Sequence, residues 1–137
     1  MSAVEPGVVL PTIEVAVALC ERHGWLVRDI GSLASALSRP GQVVWGTEAY
    51  TGLHAKAAAL LDALNRSHPL LDGNKRLAWT LVAATYRVNG FKLVAAPHDI
   101  DRFMREVGGD EHLGLDEIQR WLSEHCASVE NTFTAPA

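Results

Sequence analysis

A chain of 137 residues fits one domain with a sizeable core, and 48% hydrophobic content is that of an ordinary soluble globule. A formal charge of −4 and a pI near 5.8 speak against a general nucleic-acid or membrane-surface binder. No apolar run approaches the roughly 20 residues of a membrane helix, so no membrane partner is expected.

The first residues, Met1 to Gly7, carry no basic cluster, and Pro11 and Glu14 interrupt the apolar residues that follow. That pattern argues against a signal peptide and for a cytoplasmic protein. Residues 1–10 read as a loose N-terminus, 11–126 as one domain and 127–137 as a flexible, small and polar tail. The two cysteines, Cys20 and Cys126, fit a reducing compartment rather than a disulfide scaffold.

Helical spacing dominates the middle. Ile13, Ala16, Val17 and Cys20 share a face that Gly24 ends. Asp29 is placed to cap a short helix carrying Leu33, Ala34 and Leu37, stopped by Pro40. Residues 42–50 read as a loop with two exposed aromatics, Trp45 and Tyr50. A long helix over 53–66 turns Ala57, Leu60, Leu61 and Leu64 inward. The next starts near Asp72, ends at Asn89-Gly90 and is apolar on nearly every side, which predicts the central helix of a bundle. Phe91 to Val94 suits a short extended segment. Ile100, Phe103, Met104 and Val107 mark one further amphipathic helix, and Leu115, Ile118, Trp121 and Leu122 the last. The fold class is all-α, about six helices around a buried one.

The chemistry concentrates in His68-Pro69-Leu70-Leu71-Asp72-Gly73-Asn74-Lys75-Arg76. With Asp72 as N-cap, the first-turn amides of the following helix point outward without internal partners, which suits phosphate. Lys75 and Arg76 in that turn oppose the helix dipole, at about 0.3–1 kcal/mol each. A bound polyphosphate reverses the sign, with Arg76 as a fork and Lys75 as a point charge. Asp72, the one carboxylate of the cluster, is a candidate Mg2+ ligand. Asn74 would orient a phosphate or the loop itself. A neutral imidazole at His68 can take a proton from an attacking hydroxyl. Together these point to transfer of a phosphate-containing group onto an alcohol. The bland alternative is a polar turn before a solvated helix start.

Other groupings carry less. Cys20 with His23, and His125 with Cys126, could in principle hold zinc, but the adjacent His125-Cys126 pair lacks the usual ligand spacing and both cysteines also fit apolar helix faces. Residues 115–122 have too little basic character for a DNA-recognition helix.

The nine-residue stretch resembles the signature of the Fic/Doc family, His-x-Phe-x-Asp-Gly/Ala-Asn-Lys-Arg in its Doc branch. Arg28-Asp29-Ile30-Gly31-Ser32-Leu33, Ala36-Leu37-Ser38-Arg39-Pro40, Lys56-Ala57-Ala58 and Asn89-Gly90-Phe91 extend the likeness over residues 10 to 125. The resemblance implies a compact helical domain with the motif between two central helices. It also implies a type II toxin that uses ATP and Mg2+ to phosphorylate a threonine of elongation factor Tu, which arrests translation. Fic relatives transfer AMP instead and carry glycine where Lys75 stands, so Lys75 sides with the kinase branch.

Carried over by position, His68 is the base and Asp72 the metal-linked carboxylate. Gly73, Asn74, Lys75 and Arg76 fall at the phosphates, and Arg66 stands where Doc also has an arginine near the site. The family's Phe is Leu70 here, which predicts a looser loop. A catalytically decayed binding module is the further alternative. Inhibition is expected in trans from an antitoxin, with Trp45 and Tyr50 as candidate contacts.

Overall fold

The computed structural model describes residues 7–109 and 112–129. Six α-helices dominate the described residues: α1 (Ile13–His23), α2 (Ile30–Ser38), α3 (Leu53–Ser67), α4 (Asn74–Val88), α5 (Pro97–Gly108) and α6 (Leu115–Glu124). None of them is long and apolar enough to cross a membrane.

The caps fall largely where the residues dictate. Thr12 accepts from the Val15 amide at the start of α1, and Gly24 closes it in the left-handed region at φ 70°. Asp29 caps α2 by accepting from the Ser32 amide and hydroxyl. Those bonds hold its carboxyl below the usual range, the Ser32 amide most of all. A 3-10 turn, Arg39–Gly41, follows α2 with Pro40 buried. Within α2, Ala36 is buried beside Leu33 and Leu37, whereas Ala34, expected inward, is exposed.

Residues 42–50 are more ordered than a loop. Strands β1 (Val43–Val44) and β2 (Thr47–Glu48) pair antiparallel around Trp45 and Gly46, both at positive φ. Those signs are what a tight hairpin turn requires. The strands are too short for an alternating pattern to show in sequence. Trp45 is 99% exposed, but Tyr50 is half-buried and its hydroxyl accepts from Arg39 Nε at 3.0 Å.

The central helix is α3, not α4. Every residue of the run 56–65 is buried, whereas α4 leaves Arg76, Ala84, Arg87 and Val88 exposed. Helices α2, α4, α5 and α6 all pack on α3. Its charged residues misled the pattern. Lys56 and Asp62 lie in the interior because partners meet them there. Lys56 Nζ donates to the Tyr50 carbonyl at 2.6 Å and pairs with Glu48 at 3.2 Å. Asp62 takes Arg39 Nη1 at 2.7 Å and Arg66 Nε at 2.9 Å.

The far side is closed by aromatic stacking, with Trp121 of α6 between Phe103 at 3.9 Å and His125 at 3.8 Å. Strand β3 (Phe91–Leu93) pairs antiparallel with β4 (Cys126–Ser128), so Ala127 and Ser128 belong to the sheet and not to a tail. At the other end, the Asn89 carboxamide grips Val9 through both its N–H and its C=O at 2.9 Å. The expected loose N-terminus and flexible tail fall mostly on residues 1–6 and 130–137, which lie outside the described residues.

Candidate functional site

The motif loop joins the end of α3 to the start of α4 and is pinned along its length. His68 ends α3 in the left-handed region at φ 44° and ψ 59°. That conformation costs a non-glycine residue roughly 1–2 kcal/mol, and two neighbours hold it. Arg28 Nη2 donates to the His68 carbonyl at 2.6 Å, and the Pro69 carbonyl accepts from the Arg28 and Asp29 amides at 2.8 and 3.1 Å. An isolated antiparallel bridge pairs Leu70 with Val27, and the Leu71 amide donates to the Leu26 carbonyl at 3.1 Å. Residues 26–29, between α1 and α2, thus act as a strand partner for the loop.

Leu70 does the work of an anchor. It is 1% exposed and sits in the core cluster, so the looser loop expected from its smaller side chain is not what the structure has. Asn74 completes the anchoring, accepting from the Leu70 amide at 2.9 Å and donating to the Leu70 carbonyl at 3.0 Å. Of the two roles open to Asn74, these bonds show its carboxamide holding the loop.

Asp72 is not the N-cap of α4. Gly73 takes that place at φ 91°, a left-handed turn that leaves the Asp72 side chain outside the first turn. Asp72 Oδ1 accepts from the Gly73 amide at 2.8 Å, and Oδ2 lies 3.6 Å from Arg76. The start of α4 consequently has no side-chain cap. A helix start in that condition presents its amides and positive end to an anion.

Glycine is favoured at position 73. A Cβ there would stand 3.3 Å from Trp25 Cδ1 and 3.4 Å from Arg76 Nη2, and the backbone is left-handed besides. Arg76 therefore lies toward Trp25. Lys75 leans the other way, its Cε 3.5 Å from where a Cβ on Gly108 of α5 would be. Arg66 is tethered one turn before the loop, its Nε on both oxygens of Asp62 at 2.9 and 3.0 Å. Five of the seven expected residues (Asp72, Gly73, Asn74, Lys75 and Arg76) gather at the helix start, His68 stands exposed at the loop's entrance, and Arg66 is turned to Asp62.

As a metal site, the lone Asp72 carboxylate suits Mg2+, which takes one or two protein carboxylates and completes its shell with water and phosphate oxygens. Among the described residues no three His, Cys, Asp or Glu side chains cluster as an all-protein cage. The cysteines have other surroundings: burial raises both thiols, Cys20 lies in the core, and His125 Nδ1 lies 2.7 Å from the Trp121 carbonyl.

Arg28, Trp25 and Asp62 are parts of the site that the motif itself does not reveal. Arg28 carried a signal, since it lies in the upstream segment that resembles the family, but nothing in local spacing reveals a contact forty residues away.

Comparison with known proteins agrees with this architecture. The model of the Fic/DOC family matches residues 12–85, from α1 through most of α4 and including the whole loop. A protein named Toxin Doc from Mycolicibacterium smegmatis (strain ATCC 700084 / mc(2)155) is 43% identical over 107 residues, covering 76% of this chain and 81% of its own. Two independent likenesses, both spanning more than half of the molecule, establish that the chain belongs to the Fic/DOC family.

Proposed function

We propose that this protein is the toxin of a type II toxin–antitoxin pair and works as a Doc-type kinase, moving the terminal phosphate of ATP to a threonine hydroxyl of elongation factor Tu. The observation that carries this reading is the uncapped start of α4, with Lys75 and Arg76 in its first turn and His68 on the loop before it. The amides and the two cations would hold the phosphates. His68 would take the proton as the acceptor oxygen bonds to phosphorus and the bond to ADP breaks. Asp72 Oδ2 is the oxygen available to hold Mg2+, whose charge would offset that on the phosphate oxygens. The name of the 43% identical relative supports the toxin role. A toxin acting on the translation machinery works in the cytoplasm, held by an antitoxin bound in trans.

Lys75 favours phosphate over AMP transfer, because Fic relatives keep glycine at that place. The decayed-module reading rested on a loose Leu70, and Leu70 is buried. Incubating the antitoxin-free protein with γ-labelled ATP, Mg2+ and elongation factor Tu tests the proposal. Label is expected on a threonine of the factor; an unlabelled factor beside a folded toxin would remove this target.

A further inference from the structure

A cleft of about 310 Å³ opens beside the start of α4, lined by His23, Trp25, Leu26, Leu71, Asp72 and Arg76. Its two ends differ in chemistry. Asp72 and Arg76 belong to the helix start just described. The other wall is aromatic and apolar: His23 lies flat on Trp25, with 4.5 Å between ring centroids and 15° between planes. Leu26 and Leu71 flank that stack at 66% and 64% exposed.

Gly73 brings the two ends together, because the missing Cβ lets the indole edge and the guanidinium both approach the same point. A ligand gripped by its phosphates at α4 would have a flat aromatic wall and two uncovered leucines directly beside the grip. A planar apolar ring joined to a phosphate chain matches that order of surfaces, and stacking favours it without regard to hydrogen-bond pattern.

We propose that this cleft seats the purine base of the nucleotide, with His23 and Trp25 as the stacking platform and Leu26 and Leu71 as its apolar rim. The inference rests on the phosphate-transfer reading above and adds where the rest of the nucleotide lies.

The test is calorimetric titration of the whole chain with Mg2+-ATP and, separately, Mg2+-tripolyphosphate. Wild type is expected to bind ATP more tightly. His23→Ala and Leu71→Ser, both at exposed positions and checked by thermal melting, are expected to weaken ATP about tenfold while tripolyphosphate stays within about twofold. Unchanged ATP affinity in both variants, or an equal loss for tripolyphosphate, would overturn the base seat and leave the phosphate grip standing. If wild type binds neither ligand, the phosphate-transfer reading falls and this inference with it.

Discussion

The guanidinium of Arg28 reaches forty residues along the chain to donate a 2.6 Å hydrogen bond to the carbonyl of His68. It holds the left-handed backbone that points the candidate base out of α3. The bond is exposed, so its contribution to stability is small, about 0.5–1.5 kcal/mol. Its contribution to placement is larger, since misplacing a reacting group by about 1 Å can cost 10²-fold in rate. Arg28→Ala is expected to lower kcat by at least about tenfold with little change in melting temperature or ATP affinity. An unaltered kcat would mean that His68 is held by the rest of the loop.

Leu70 and Asn74 hold the loop from inside. Leu70→Ala is expected to destabilise the domain by about 2–5 kcal/mol, as for other fully buried leucines. Asn74→Ala strands the Leu70 amide and carbonyl and should cost about 1–3 kcal/mol. Urea unfolding measures both. A cost near zero for Asn74→Ala would mean that its two bonds to Leu70 contribute nothing net to the loop.

Much of this was legible in the residues. The periodicity of α3, α5 and α6, the Gly24 and Asp29 caps and the nine-residue motif each carry a local signal. What was not legible depends on distant partners. Lys56 and Asp62 look like surface residues until Glu48, Arg39 and Arg66 are seen to meet them. Gly73 and not Asp72 caps α4, and the sequence does not separate the two because a left-handed glycine and a capping aspartate give the same local signal ahead of a helix.

Asp62 joins Arg39 and Arg66, so its removal leaves two guanidinium groups unpaired. Breaking a buried pair costs about 3–5 kcal/mol, and the side-chain exposure of Arg39 at 25% and Arg66 at 51% reduces that to about 1–3 kcal/mol through solvent screening. Asp62→Ala should show this loss in urea, with Asp62→Asn milder. Equal stability of Asp62→Ala and wild type would mean the network contributes nothing net.

His54 gives the fold a pH dependence. Its Nδ1 lies 2.7 Å from the Tyr86 hydroxyl, and burial lowers its pKa from the usual 6.5. As pH falls through 6.5 the unfolded chain takes up a proton before the folded one does. Stability is therefore lost as pH drops from that point toward the folded pKa. His54→Gln removes the titration, so the stability difference between wild type and variant should move against wild type between pH 7.5 and 5.5, by about the same protocol of urea unfolding at each pH. A difference that does not change with pH would contradict the assignment.

The most direct measurement of the central claim runs ATP labelled at the γ position beside ATP labelled at the α position, with wild type and His68→Ala. The account predicts γ label on protein, no α label, and none of either with a folded His68→Ala. Transfer of the α label, or γ transfer that survives in His68→Ala, would contradict it.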